Sequence, residues 1–516
     1  MHTSVGKNKR IAKNTLMLYM RMLLIMAVTL YTSRIILNTL GVEDFGIYNV
    51  VGGVISMLGF LNSSLGGASS RFITFSLGKN DKKELRKVFS TVVFIHLILA
   101  VVIILLGETL GLWFVYHKLV IPPERLTAAL WVYHCSILTA VVSIISVPYN
   151  SLVVAHERMS AFAYISVIEV ALKLGIVYFL VYISQDKLIT YAVLYLIVQI
   201  FIRFLYGCYC SSHFSESKIL FGWSPQLVKE ISIYAGWTVN GNLAVVGYTQ
   251  GINILLNLFF GPVANAARGI AVQVQAAVMT FMQNMQMAVR PQIIKSYATF
   301  DLSYMHTLVV ASSKYGFFLM LVLTFPIMLC VDPILKIWLG VVPGYTVGFV
   351  RIMLMIGLLE SLKVALISAI HATGDIRKFQ IYEGTFLLTV VPIAYVLLKV
   401  YHISPNDVML VYFFVELVTQ CIRVWIVCPR IQMPFTSYLK KIICPILPPL
   451  LCILPVLSWL SLPKELSLGC LALYLSLAVL YVLICIYLLG LTSSERRIMY
   501  NFVKTNINCI LNFLRV

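Results

Sequence analysis

Charge is scarce along this chain, and acid is scarcer still. Of 516 residues only 11% are charged, and 20 acidic side chains face 39 lysines and arginines. A soluble domain carries roughly a quarter charged residues, so that class is excluded at the outset. Strand-type alternation over about ten residues is missing, which excludes a β-barrel. Catalytic signatures are missing as well: neither HExxH nor GxSxG nor a phosphate-cradling P-loop occurs. The longest external connections, around Lys118 to Arg125 and Asp332 to Tyr345, hold no acid/base pair. The eleven cysteines form no CxxC pair and no metal-ligand spacing; Cys135, Cys330, Cys452, Cys470 and Cys485 lie inside apolar runs and read as packing residues. His96, His134 and His371 read as isolated helix residues with structural roles.

What the chain does have is apolar length. Hydrophobic residues make up 60% of it and the mean hydropathy is +0.92. A hydrocarbon core roughly 30 Å thick takes about 20 apolar residues per helix, and that length recurs from end to end. The predicted fold class is all-α: a polytopic membrane protein of about fourteen transmembrane helices, running from segments at 14–38 and 45–70 to the last pair at 441–461 and 467–489. The second and eighth segments are the most polar. The basic start, Lys7, Lys9, Arg10 and Lys13, precedes a run too long for a secretory signal and without a cleavage site. Lys/Arg asymmetry places both termini in the cytoplasm, together with Lys79, Lys82, Lys83, Arg86, Lys87, Arg158, Lys295, Arg377 and Lys378. The net charge of +19 is then mostly positive-inside loop charge, and nucleic acid is not an expected partner.

Sliding the chain on itself by 219 residues sets Ile36-Leu37-Asn38 on Leu255-Leu256-Asn257 and Arg71 on Arg290. A one-residue slip pairs Gly41 with Gly261, and a nearby offset pairs Ala155, Glu157 and Phe162 with Ala372, Asp375 and Phe379. These echoes predict two six-helix lobes, 1–210 and 230–429, joined by a cytoplasmic linker at 211–229 and followed by two helices within 430–490. An offset of six helices preserves orientation, so the lobes are expected to be related by a pseudo-two-fold along the membrane normal, with substrate between them. Apolar residues at Ile498, Phe502, Val503, Ile507, Ile510 and Leu514 among basic ones leave two readings for the tail at 491–516, an amphipathic interfacial helix or a disordered end.

Cations in a helix centre are costly and tend to face a wet cavity or a partner. Glu169 with Lys173, Glu360 with Lys363, and Glu416 with Arg423 can neutralise one another within their helices. Arg21, Arg34, Arg71, Arg268 and Arg290 have no acid of their own helix within a turn. Tyr31, Arg34 and Asn38 share a face, as do Gln250, Asn253 and Asn257 in the other lobe, and Gln283, Gln286 and Arg290 make a third stripe. The small and polar seam of Asn49, Gly53, Ser56, Ser63, Gly67 and Ser70 reads as close helix packing or as a route for water. For the arginines, snorkelling to headgroups stands beside a lumen-facing role. In the lumen they would draw an anion, and a guanidinium fork matches phosphate oxygens. A lipid-linked sugar offers a diphosphate together with hydroxyls that Asn, Gln, Ser and Tyr side chains can meet.

The run SRIILNTLGVEDFGIYNVVGG from Ser33 to Gly53, PYNSLVVAHERM from Pro148 to Met159, and ATGDIRK from Ala372 to Lys378 resemble Wzx-type polysaccharide flippases of the multidrug/oligosaccharidyl-lipid/polysaccharide exporter superfamily. The resemblance runs over most of the chain. It implies two six-helix lobes around a cationic cleft, alternating access, and translocation of an undecaprenyl-diphosphate-linked oligosaccharide to the periplasmic leaflet, as in O-antigen or capsule assembly. Membrane lipids and other polysaccharide assembly proteins are the further implied partners. The first-helix arginine of related lipid II flippases corresponds to Arg34. No cofactor is expected beyond sodium or proton coupling, for which Glu383, Glu169, Glu360 and Glu416 are candidates; Glu383 has no cation within the next turn. Two rivals remain open. A multidrug antiporter of the same fold would want acids in the lumen, and a membrane polysaccharide polymerase or glycosyltransferase would want a catalytic external loop.

Overall fold

The computed structural model describes residues 2–56, 59–118, 121–218, 224–459 and 466–497, and among these the regular secondary structure is helical throughout. Twelve helices are long and apolar enough to cross a membrane, from Arg10–Thr29 to Leu468–Gly490. Two more helices, Gly59–Gly78 and Pro262–Ala298, fall outside that set because Asn, Gln, Ser and Arg interrupt their apolar character. These are the polar second and eighth segments of the sequence. The protein is therefore an all-helical, multi-pass membrane protein. Large apolar side chains left exposed along whole faces, such as Leu473, Leu477, Leu480 and Leu488 on the last helix, agree with this. In water each would forfeit the gain of burial, whereas lipid tails make the exposure neutral.

Helix ends follow from local chemistry. Asp81 accepts from the backbone nitrogens of Lys83 and Glu84 at 2.9 and 3.0 Å and opens the Lys82–Leu106 helix. Ser404 and Asp407 form a reciprocal capping box at the start of Pro405–Arg430. Gly41, at φ 82°, breaks the long His2–Ser56 helix between the first two predicted segments, 14–38 and 45–70. The repeat is written into such left-handed turns: Gly41 and Gly261 occur 220 positions apart (41 to 261), as do Asn80 and Phe300 (80 to 300), and Glu157 and Gly374 end equivalent helices in each half. Backbone turns that need positive φ thus recur at the offset that aligns the two halves, as a duplicated fold requires.

The chain divides into two compact units. The first comprises Met1–Leu243, Asn284–Met305 and Ser368–Ile381; the second comprises Ala244–Gln283, His306–Ile367 and Tyr382–Val516. In the first, Val115, Ala128, Ala129, Val132, Tyr133 and Leu188 form a buried apolar cluster. A smaller cluster of Leu18, Met159 and Ala288 packs residues of the first half against the late segment from Asn284. Arg125 clips three connections of this unit together, contacting Asp44 at 2.5 Å and Asp186 at 2.6 Å. In the second unit, Lys314, nearly fully buried, is paired with Glu495 at 2.7 Å and fastens the segment after the last helix.

A cationic cluster as the candidate functional site

Four helices bring one polar cluster together, all within the first unit. Gly59–Gly78 supplies Arg71, Pro225–Phe260 supplies Tyr234, Pro262–Ala298 supplies Gln286 and Arg290, and Thr346–Thr373 supplies Ser368 and His371. Gln286 and Arg290 are spaced i to i+4 and Ser368 and His371 i to i+3, so each pair shares a helix face. Gln286 Nε2 donates to Ser368 Oγ at 2.8 Å, which ties the two faces. The Tyr234 ring meets the His371 ring edge to face at 5.8 Å. The Arg71 guanidinium lies 4.6, 4.7 and 5.8 Å from the ring centres of Phe72, Phe75 and Tyr234. Its Nη2 also donates to the Ala372 carbonyl at 3.5 Å. Gly374 takes φ 82° directly against that guanidinium, a backbone conformation that favours glycine, and a Cβ there would push the Arg71 guanidinium aside.

The electrostatics of the cluster are one-sided. Among the described residues Arg71, Arg290 and His371 make no ion pair. Glu230, four positions before Tyr234, is the acid within electrostatic reach of Arg71, and it is exposed. Arg71 and His371 are buried at 8% and 6% exposure. Arg71 Nε, Arg290 Nε, the Tyr234 hydroxyl, Gln286 Oε1 and both ring nitrogens of His371 are buried without a hydrogen-bond partner in the protein. Left unsatisfied, each such atom would cost about 1–3 kcal/mol, so native structures meet such groups with protein, ordered water or a ligand. Chemically, the arrangement can receive an anion through two guanidiniums.

Beside the cluster, in the same unit, stands a fully neutralised acid. Glu157, at φ 58° in the turn after the Leu126–Ala155 helix, has a carboxylate only 1% exposed. It accepts from Lys295 at 2.6 Å and Gln292 at 2.7 Å, and Arg10 lies 3.3 Å away. The adjoining His156 contacts Glu216 at 2.5 Å and stacks on Phe214. Burial lowers the His156 pKa below its ordinary 6.5, with Glu216 opposing that shift. Arg71 thus reaches the Ala372 carbonyl and Lys295 reaches Glu157, so a helix end in each half of the chain contacts a short turn of the other half.

The remaining predicted residues are distributed as follows. The side chains of Arg34 and Asn38 lie outside the described residues, as does the tail beyond Arg497. Arg21, in the first unit, sits 4.5 Å over the Phe162 ring with its Nε unpartnered. Tyr31 hydrogen-bonds Tyr178 at 2.7 Å. In the second unit Arg268, 4% exposed, donates to Asn253, which in turn donates to Gln250 at 3.1 Å. Asn257 and Gln283 are exposed. All four candidate coupling acids are ion-paired. Glu169 contacts Lys173 at 2.7 Å, Glu360 contacts Lys363, and Arg423 holds both Glu416 and Glu383 at 2.6 Å. The sequence shows no cation near Glu383 because its partner is forty positions away, on the Pro405–Arg430 helix. No cluster of His, Cys, Asp and Glu among the described residues could hold a metal ion.

Sequence reasoning missed Tyr234, Glu157 and Ser368, and assigned His371 a structural role. The signal available for His371 was its spacing from Ser368, which mirrors the polar stripe of Gln286 and Arg290.

Comparison with known proteins places this geometry. Residues 11–331 match the model of a family described as polysaccharide biosynthesis protein. No match was found among curated proteins. Solved structures with a similar fold include a multidrug resistance MATE family transporter of the MOP superfamily in an outward-facing conformation (TM-score 0.73, 15% identity, covering 83% of this chain and 96% of that one). A MATE transporter in a bent conformation (TM-score 0.72, 16% identity, 84% and 96% covered) is also similar. So is a MOP superfamily transporter from Pyrococcus furiosus Vc1 (DSM3638), described as having a binding pocket of reverse polarity that suggests a different function (TM-score 0.71, 16% identity, 84% and 97% covered). At these identities the structural likeness speaks for the fold alone, a fold shared with the solved MATE transporters, and the family match, over more than half of the chain's length, identifies this chain as a member of the polysaccharide biosynthesis protein family.

Proposed function

We propose that this protein is a flippase that moves an undecaprenyl-diphosphate-linked oligosaccharide from the cytoplasmic to the periplasmic leaflet of a bacterial inner membrane, with both termini in the cytoplasm. The observation that carries the reading is the cluster of Arg71 and Arg290 without an ion-paired acid, alongside hydroxyl, amide and imidazole groups. Moving a diphosphate through hydrocarbon unaided would strip its hydration at prohibitive cost; the guanidiniums of buried Arg71 and half-buried Arg290 supply replacement contacts. Alternating access between lobes 1–210 and 230–429, linked through 211–229, would then expose the headgroup to either leaflet while the prenyl tail stays in lipid, with the helices of 430–490 as an appended pair. An antiporter of organic cations is disfavoured, because the intramembrane carboxylates Glu169, Glu360, Glu383 and Glu416 are already neutralised by lysine or arginine.

The test is reconstitution in vesicles with a labelled undecaprenyl-diphosphate oligosaccharide, followed by accessibility to a reagent confined to one side. Wild-type protein should equilibrate the label between leaflets. Equal leaflet exchange by vesicles lacking the protein, or dye extrusion in place of lipid movement, would overturn the reading.

A further inference from the structure

The cluster is unbalanced in hydrogen-bond type as well as in charge. Arg71 Nε and Arg290 Nε are pure donors. A neutral imidazole, in either tautomer, presents one N–H and one lone pair, and neither ring nitrogen of His371 has a protein partner. Gln286 spends its amide nitrogen on Ser368 and leaves Oε1 as a second buried acceptor without a donor. A naked phosphate brings acceptor atoms only. It would satisfy the arginines and one imidazole N–H, and leave the His371 lone pair and Gln286 Oε1 stranded at low exposure, a state that buried polar groups avoid.

A ligand that satisfies the whole inventory carries anionic oxygens and, beside them, hydroxyl groups able to donate. The junction of a phosphate with a sugar has that composition. The spacing suits it: Gln286 bonds Ser368, and Ser368 stands one turn from His371, a step of about 5–6 Å along the helix surface. Tyr234, whose ring abuts His371, adds a hydroxyl that can donate or accept.

Building on the function proposed above, we propose that this site reads the glycosyl-phosphate junction of its cargo, with Arg71 and Arg290 taking the phosphate oxygens and His371 and Gln286 accepting from hydroxyls of the first sugar. His371 is then the residue that distinguishes a sugar-loaded carrier lipid from the bare carrier diphosphate. Charge works against that distinction, since the bare diphosphate keeps an extra ionisation on its terminal phosphate, so a preference for the sugar ester has to come from the hydroxyl contacts.

The experiment compares two probes on the purified full-length protein in nanodiscs: farnesyl diphosphate, and farnesyl diphosphate esterified to a single hexose. Wild-type protein should bind the hexose ester about tenfold more tightly, the scale of one or two net hydrogen bonds. His371→Phe keeps a ring of similar volume and loses both nitrogens; the ratio of the two affinities should fall to one or below, because the bare diphosphate carries the greater charge, whatever loss the probes share. His371→Gln, which retains an acceptor, should restore part of the ratio, and it serves as the second variant should the first fold poorly. Equal wild-type affinity for both probes would overturn this inference while leaving the cationic reading of the site standing. A His371→Phe ratio unchanged from wild type would overturn it too. Binding of neither probe would sink the flippase reading and this inference with it.

Discussion

The carboxylate of Glu157 lies 2.6 Å from the ammonium of Lys295, joining a turn of the first half of the chain to a helix end of the second. Arg10 and Gln292 complete the shell around an acid that is 1% exposed. In the function proposed above, alternation between lobes would have to break contacts of this kind, so their strength would bear on the conformational equilibrium.

Removal of the carboxylate is expected to loosen this join. Glu157→Ala leaves Lys295 and Gln292 without their shared acceptor and should cost about 2–4 kcal/mol, whereas Glu157→Gln keeps hydrogen bonds and should cost less. Thermal unfolding in detergent ranks the two variants. A cysteine placed at Ser296, which is buried at 4% exposure, should label faster with a polar maleimide in the alanine background; equal labelling rates would speak against the join holding that surface closed.

Arg290 makes no ion pair among the described residues, so its replacement strands no partner and should leave folding largely intact. Arg290→Ala is expected to lower lipid translocation at least about tenfold, with Arg290→Lys intermediate because a lysine keeps the charge and loses the planar fork. The rate of leaflet exchange, set against protein recovered in the vesicles, measures this directly. Translocation at the wild-type rate in Arg290→Ala would remove the cluster from the transport path.

Arg423 has the opposite profile. Its guanidinium, fully buried, holds Glu416 and Glu383 together at 2.6 Å each. Arg423→Ala would leave two carboxylates in a low-dielectric interior, and about 3–5 kcal/mol of stability should be lost. The expected phenotype is poor folding with little full-length protein in the membrane, and a partial rescue on combining it with Glu416→Gln. Normal expression of the single variant would contradict a structural role for this triad.

Glu495 gives a pH signature. Burial pushes its pKa up, but Lys314, Tyr315 and Thr492 outweigh that and hold it down to about 2 from an ordinary 4.5. A carboxyl group whose folded pKa is depressed stabilises the fold above the unfolded value and loses that contribution as pH falls. Stability linked to this contact should therefore be full above about pH 4.5 and decline toward pH 2. In Glu495→Gln the melting temperature should fall less steeply over that interval than in the wild type; superimposable slopes would refute the assignment.

Much of the architecture could be read from residue order alone. Apolar runs of membrane length lead to about fourteen helices, because a bilayer imposes the same local demands on every segment. Gly41 and Gly261 are legible for a similar reason: left-handed backbone is a requirement of single positions, and glycine meets it. The intrahelical pairs Glu169–Lys173 and Glu360–Lys363 follow from helical geometry without any tertiary information.

What sequence order determined, then, is whatever a helix can settle within its own turns: its length, its polar stripe, its breaks, its nearest charge partners. Tertiary structure alone decided which stripes meet. Arg423 reached forty positions to Glu383, Glu157 drew its cations from Arg10 near the start of the chain and Lys295 near its middle, and His371, unremarkable on its own helix, became the neighbour of Arg71 and Tyr234. The reason is physical: desolvation and Coulomb attraction act over a few ångströms of space, and separation along a folded chain sets no bound on that distance.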